Sequence, residues 1–381
     1  MSFFVFSSVP KVTRWLAASV AAAMLTGCKR PPPPSPDSTS TEPSAPGEIS
    51  EVILAAYRPP LPASYDSKTN PSTDAKIKLG RMLYYDPRLS ASKKISCNSC
   101  HLLDKYGVDG KKVSLGHEEQ PGKRNSPSVY NAAGHFVQFW DGRAADVEEQ
   151  AKGPILNLGE MAMAGQVEVV AEFRLERARA YVDLFKEAFP NEPDAINFDN
   201  IARAIGAFER KLVTPARWDK FLGGEKDAIT AEEKRGFQTF VSTGCNACHM
   251  GTLVGGSMYQ KLGLAIPWPN LKDEGRFEET KNADDKMKFK VPSLRNVEKT
   301  APYFHDGSVA TLDEAVRLMG KHQLGKDLKA DDVAAIVTWL KSLTGTLPTD
   351  YIRMPTLPAM PSDSAMGTPK VSPAASAGKV K

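Results

Sequence analysis

A chain of 381 residues, 41% apolar and 25% charged, has room for two compact domains plus tails and the balance of a soluble globular protein. Its formal charge of +4 falls to +2 if Lys11 and Arg14 leave with an N-terminal leader, and no basic stripe with interleaved aromatics occurs. Both facts argue against a nucleic-acid partner.

Residues 1–28 read as that leader. Lys11 and Arg14 supply a positive start, and residues 15–25 form an apolar stretch too short to cross a bilayer. The stretch ends in Leu25-Thr26-Gly27-Cys28, the pattern of a bacterial lipoprotein signal. Cys28 is then expected to carry lipid and become the new N-terminus; an ordinary signal peptide with an incidental Cys28 is the alternative. Lys29 in the next position suits sorting to the outer membrane. Residues 29–50 are rich in Pro, Ser and Thr and read as a semi-rigid tether.

A first domain is expected over 51–215. Residues 75–85 carry Ile77, Leu79, Met82 and Leu83 at helical spacing and lead towards Cys97-Asn98-Ser99-Cys100-His101. Residues 200–212 (Ile201, Ile205, Phe208, Leu212) close the domain as a second helix, with Pro215 after it and a boundary within 213–222. A second domain over 216–352 repeats the plan. Thr230 and Glu233 form a capping box that opens a helix over 231–241, with Phe237 and Phe240 inward, running into Cys245-Asn246-Ala247-Cys248-His249. Thr311 and Glu314 form another box, opening a helix with Ala315, Val316 and Met319. Residues 331–343 make the closing amphipathic helix, ended by Gly345. The tail, 353–381, is rich in Pro, Ser and Ala and is expected to be disordered.

Of five cysteines, one is Cys28 and the other four fall into two C-x-x-C-H motifs, which leaves none for a disulfide. C-x-x-C-H is the attachment signature of c-type haem: two thiols add across the two vinyl groups of one porphyrin, and the adjacent histidine reaches the iron. A redox dithiol has no need of the following histidine. A zinc site built from four thiolates would leave both histidines unexplained. The expected fold is therefore mainly α, two cytochrome c-type domains, each around one covalent haem. Covalent haem attachment of this kind and the leader both place the chain in the periplasm of a Gram-negative bacterium. A haem with one protein ligand binds small molecules and one with two transfers electrons, so the sixth ligands decide function. His117, His135, His305, His322 and the methionines are the candidates.

Several further stretches carry a resemblance. Ser114-Leu115-Gly116-His117, then 124–131 (Arg-Asn-Ser-Pro-Ser-Val-Tyr-Asn), then 138–143 (Gln-Phe-Trp-Asp-Gly-Arg) resemble the bacterial di-haem cytochrome c peroxidases. So do 149–154, Glu160-Met161, 291–296 (Val-Pro-Ser-Leu-Arg-Asn), 303–307 (Tyr-Phe-His-Asp-Gly) and 314–320, in family order, over about residues 50–350.

The resemblance implies an enzyme that reduces hydrogen peroxide with electrons from a small periplasmic cytochrome c or cupredoxin. His101 and His249 would each hold one iron. His117 would be the removable distal ligand of the first haem, though a surface-loop histidine reads the same from the residues alone. Glu160 would be the acid–base group over that haem and Gln150 a partner that holds peroxide or water; most glutamates are instead solvated surface groups. Met319 would be the sulfur ligand of the second haem, with Met287 as a rival and core packing as the plain alternative. Trp140 would lie between the haems. Asn125, Thr300 and Pro302 would bind Ca²⁺ at the domain junction through one side-chain oxygen and two backbone carbonyls. His305 is expected to pack near the second haem, and His135 and His322 to lie on the surface. A homodimer is possible in this family. Two rivals stand: a non-enzymatic di-haem electron carrier, and the related di-haem enzyme that oxidises tryptophans of a partner protein, which has a tyrosine where this chain has Met319.

Overall fold

The structure, a computed structural model, describes residues 48–175 and 178–358; the leader with Cys28, most of the tether and most of the tail lie outside the described residues. In chain order the helices are α1 (Glu51–Ala55), α2 (Asp74–Tyr85), α3 (Cys97–Cys100), α4 (Val147–Leu156), α5 (Gln166–Arg174) and α6 (Arg179–Ala188). They continue with α7 (Phe198–Glu209), α8 (Arg217–Leu222), α9 (Ala231–Thr243), α10 (Phe277–Thr280), α11 (Leu312–Leu324) and α12 (Ala330–Lys341). Strands β1 (Tyr259–Lys261) and β2 (Lys288–Lys290) pair antiparallel, Tyr259 opposite Lys290. No helix among the described residues is long and apolar enough to cross a membrane.

Two hydrophobic cores organise these helices. The first packs Leu79, Leu83 and Tyr84 of α2 against Ile201, Ile205 and Phe208 of α7, with Phe173 and Phe185 beside them. The second packs Phe237 and Phe240 of α9 against Ile336, Trp339 and Leu340 of α12, around Trp218. Each of these large side chains is removed from water almost completely, worth roughly 1.5–3 kcal/mol apiece before the entropy cost of ordering them.

The same device closes both helix pairs. Gly80 of α2 lies against the carbonyl of Ala204 in α7, and Gly236 of α9 against the carbonyl of Ala335 in α12; a methyl group at either position would overlap that oxygen. The four helices expected at 75–85, 200–212, 231–241 and 331–343 are thus present as two crossed pairs. Their ends follow local chemistry. The Thr230 hydroxyl accepts from Glu233 N at 3.2 Å while Glu233 Oε2 accepts from Thr230 N at 2.8 Å, a complete box. At α11 only half of the expected box forms. Thr311 accepts from Glu314 N at 3.3 Å, but the Glu314 carboxylate is taken by the guanidinium of Arg317 at 2.5 and 2.7 Å.

Both ends of the described residues cross to the other core. Residues 51–57, expected to open the first domain, pack on the second core together with Ile49, and Tyr57 sits edge-on to Trp218 and Phe237. After α12 the chain runs back over the first core: Tyr351 stacks on Phe208 with ring centroids 5.1 Å apart, Ile352 is buried, and Leu357 packs beside them. The first residues of the expected disordered tail are therefore held in place, since they cover apolar surface that would otherwise face water.

Adding one methyl at either crossing forces the paired helices apart, and overpacking of this kind costs about 1–3 kcal/mol. Gly80→Ala and Gly236→Ala are each expected to lower the denaturant midpoint accordingly. Gly122→Ala, where the added carbon meets only ordinary contacts, serves as control. Equal midpoints for all three would contradict the crossing.

Candidate functional site

Each C-x-x-C-H motif follows its helix or loop with a tight turn. In the first, α3 is a single helical turn that puts Cys97 and Cys100 on one side, fixed by a hydrogen bond from Ser96 N to the Ser99 hydroxyl at 3.0 Å. The chain then leaves the helix at His101 (φ −120°, ψ 67°). In the second, α9 ends at left-handed Gly244 and Cys245 opens a short 3-10 turn.

The two histidines are held alike. His101 Nδ1 lies 3.3 Å from Gly107 O and His249 Nδ1 lies 3.3 Å from Val254 O; the Pro127 and Pro292 carbonyls add a second acceptor to each. A carbonyl can only accept, so Nδ1 carries the hydrogen and Nε2 keeps its lone pair. Burial lowers both pKa values, His249 to about 4, so both rings are neutral at ordinary pH. A neutral imidazole with its far nitrogen tied down and its near nitrogen free is what an iron ligand requires. Tyr84 and Tyr57 hydroxyls donate to the backbone carbonyls of His101 and His249, at 2.8 and 3.3 Å. The cysteines are unpaired, and burial pushes Cys97 well up and Cys245 to about 11, the opposite of a reactive dithiol.

A cavity opens at the second motif, walled by Cys245, Cys248, His249, Phe304, Leu340 and Met319 among others. Met287 packs instead with Trp268 and Phe289, outside that wall. His305 also lines the cavity; it is 2% exposed, neither ring nitrogen makes a hydrogen bond, and Nε2 lies 3.9 Å from the Asp273 carboxylate.

A structural repeat relates the surroundings of the two motifs. Asn131 and Asn296 are both left-handed at φ 60°, and so are Phe139 and Phe304 at φ 66° and 68°. Isolated bridges pair Gln138 with Ala144 and Tyr303 with Val309. Asn125 N donates to His305 O, and Lys290 N donates to Trp140 O, both at 2.7 Å. In every case the same sequence interval separates the two members, so Trp140 and His305 are counterparts that meet edge-on, ring centroids 6.4 Å apart. Carried into α4 and α11, that interval sets Pro154 opposite Met319. The Pro154 side chain has no atom that could bind an iron.

Near the first motif, residues 114–122 form a loop closed by Gly122 N to Ser114 O and Gly116 N to Gln120 O, at 2.8 and 2.9 Å. It rests on the turn that follows α4 through His117 N to Glu160 O at 2.8 Å, and Gly116 lies so close to Gly159 O that no side chain fits. Glu118 and Glu119 are consecutive left-handed residues, φ 53° and 58°, each costing about 1–2 kcal/mol. His117 has a buried Nδ1 without a partner and an Nε2 3.8 Å from Glu118. Glu160 accepts from Asn157 Nδ2 at 2.9 Å; burial raises its pKa against the opposing charge of Arg143. The Ser114 hydroxyl and the Glu160 charge both act on the Cys100 thiol, which brings the loop and the carboxyl to the first motif. Gln150 is half-buried in α4, the helix leading into the Glu160 turn.

A family model described as di-haem cytochrome c peroxidase matches residues 74–227. The chain is 44% identical over 282 residues to the cytochrome c551 peroxidase of Nitrosomonas europaea, covering 74% of this chain and 82% of that protein. It belongs to the di-haem cytochrome c peroxidase family. Similarity to the cytochrome c551 peroxidase of Pseudomonas aeruginosa is 45% over 276 residues, 71% of this chain and 78% of that protein. Among solved structures, a MauG-like protein associated with microbial copper homeostasis matches with a TM-score of 0.67 at 32% identity, covering 78% of this chain and 97% of that one.

The residues present fit the haem c that the family implies: paired thiols, a neutral histidine beside each pair, and at the second motif an apolar cavity with a thioether in its wall. Trp140 donates from Nε1 to Asn125 O at 2.9 Å and lines both this cavity and a second one beside it. Asn125, Thr300 and Pro302, expected to bind Ca²⁺, all line the second cavity.

Two expectations need correction. His322 is 8% exposed, stacked edge-on to Trp268, with Nδ1 3.1 Å from the carbonyls of Ile266 and Pro267. His135 is half-buried, packed against Gly256 and hydrogen-bonded to Lys290, so neither stands free on the surface. Lys290 went unnoticed in the sequence, where a lysine in a short polar strand carries no sign of burial.

Removing both thiols of one motif, Cys245→Ala with Cys248→Ala, is expected to leave one covalent haem per chain where the parent has two, by pyridine haemochrome against protein mass. Two haems in the double variant would contradict the assignment of that motif.

Proposed function

We propose that the chain reduces hydrogen peroxide to water with electrons from a small periplasmic cytochrome c or cupredoxin, the first motif serving peroxide and the second receiving electrons. The observation that carries this reading is Pro154 opposite Met319. In one half the helix offers a sulfur; in the other it offers nothing, and a histidine on a strained loop and a buried carboxyl stand near the motif instead.

Haem iron, when bound, supplies one-electron redox chemistry at both motifs and peroxide binding where a coordination position is free. This chain's residues do the rest. His101 and His249 present Nε2, held by their carbonyl acceptors. Met319's soft sulfur with His249 favours reduced iron, which suits that half to accepting electrons. His117 blocks the first half until its loop rearranges, and the strain at Glu118 and Glu119 offsets part of the cost of that movement. Glu160, oriented by Asn157 and raised by burial, takes a proton from one peroxide oxygen and returns it to the other. Gln150 holds peroxide or water. Asn125, Thr300 and Pro302 hold Ca²⁺ where the two repeats meet. The division into domains near residues 213–222, export to the periplasm and a lipid anchor at Cys28 complete the proposal, with a homodimer as its possible assembly.

Pro154 weighs against a pure electron carrier, whose irons would both be permanently six-coordinate. Met319 weighs against the relatives that oxidise a partner's tryptophans.

With half-reduced protein, peroxide and a reduced donor, Glu160→Gln is expected to lower turnover by at least a hundredfold, the lower range of general acid–base contributions of about 10²–10⁴. Turnover at the parent rate would remove Glu160 from the proton path.

A further inference from the structure

We infer that Lys290 is a built-in counter-cation for the propionate carboxylates of the second haem, and that its ammonium raises that haem's reduction potential. The inference rests on the di-haem reading and adds a residue to which that reading gives no part.

Lys290 ends β2 and is 6% exposed. Its ammonium donates to His135 Nδ1 at 2.9 Å, and no ion pair reaches it among the described residues. His135 is no substitute for an anion: burial, then the Lys290 charge, holds its pKa well below the ordinary value, so the ring is neutral. Because Nδ1 accepts, Nε2 carries the hydrogen, and that buried N–H has no partner either. Two polar groups are thus buried with donors to spare, which is costly unless something accepts from them. Burial, opposed by the Asp141 charge, brings Lys290 down to about 7.

Position identifies the missing acceptor. Lys290 lines both the cavity of Cys245, His249 and Met319 and the adjoining cavity of Asn125 and Trp140. A porphyrin is apolar except for its two propionates, so the charged edge belongs where an apolar wall meets a buried cation. The other buried cation nearby, Arg295, is committed to Asp219 at 2.6 and 3.0 Å. The repeat points the same way. Lys290 is the counterpart of Asn125 and His135 that of Thr300, the residues proposed to hold Ca²⁺. One half would then bind a cation where the other carries one in its own side chain. A fixed positive charge beside the haem favours the form that has gained an electron.

The test is a spectroelectrochemical titration of the full di-haem protein. Lys290→Met is expected to weaken reduction of the second haem about tenfold, a fall of about 59 mV for one electron, with a smaller change at the first haem and near-parent behaviour in Lys290→Arg. If the methionine variant does not accumulate with both haems, Lys290→Gln keeps a donor without the charge and is expected to show the same fall. A neutral variant with two haems and parent potentials overturns the role of Lys290. Parent protein with fewer than two haems per chain overturns the di-haem reading and this inference together.

Discussion

Both halves of the molecule depend on one small arrangement: a backbone carbonyl that takes the Nδ1 hydrogen of the histidine in C-x-x-C-H. Without it the imidazole could rotate, change tautomer or protonate, and each of those would withdraw the Nε2 lone pair from an iron. The carbonyls of Gly107 and Pro127 serve His101, and those of Val254 and Pro292 serve His249. These acceptors keep their place because Pro127 and Pro292 belong to loops tied together at Thr214, whose hydroxyl accepts from Asn131 Nδ2 at 2.9 Å and from Asn296 Nδ2 at 2.8 Å. The junction of the two repeats therefore aligns both histidines at once.

On this shared frame a few of the differences between the two halves carry the proposed division of labour. Met319 stands where the other half has Pro154, Lys290 where it has Asn125, and His305 where it has Trp140. A duplicated backbone with unequal side chains separates two tasks that would conflict in one site. A closed, sulfur-bearing pocket suits electron transfer. A carboxyl beside a strained loop suits a small molecule. The contact of Trp140 with His305 lies where the two meet.

Much of this was legible in the sequence. The two C-x-x-C-H motifs, the Thr230 box and the helical spacing of the four core helices are local signals, and local signals survive folding. The α11 box was only half right because Arg317, one turn on, competes for Glu314. α4 was not among the expected helices, and it holds Gly153-Pro154, which disfavour a helix interior, within its span. Burial of His135, His322 and Lys290 depends on Gly256, Trp268 and two cavity walls brought from far along the chain, which no window of residues reveals. The repeat is visible as Pro-Ser-x-x-Asn and Phe-x-Asp-Gly at a constant interval. Its meaning, a proline where the other half has a sulfur, needed the left-handed turns to fix the alignment.

The asymmetry between Pro154 and Met319 is tested most directly by adding carbon monoxide to the fully reduced protein and counting the haems that bind it. The account predicts one carbon monoxide per chain, bound at the first haem, with the sulfur-ligated spectrum of the second unchanged, and binding at both only in Met319→Ala. Binding at neither haem, or at the second alone, would contradict it.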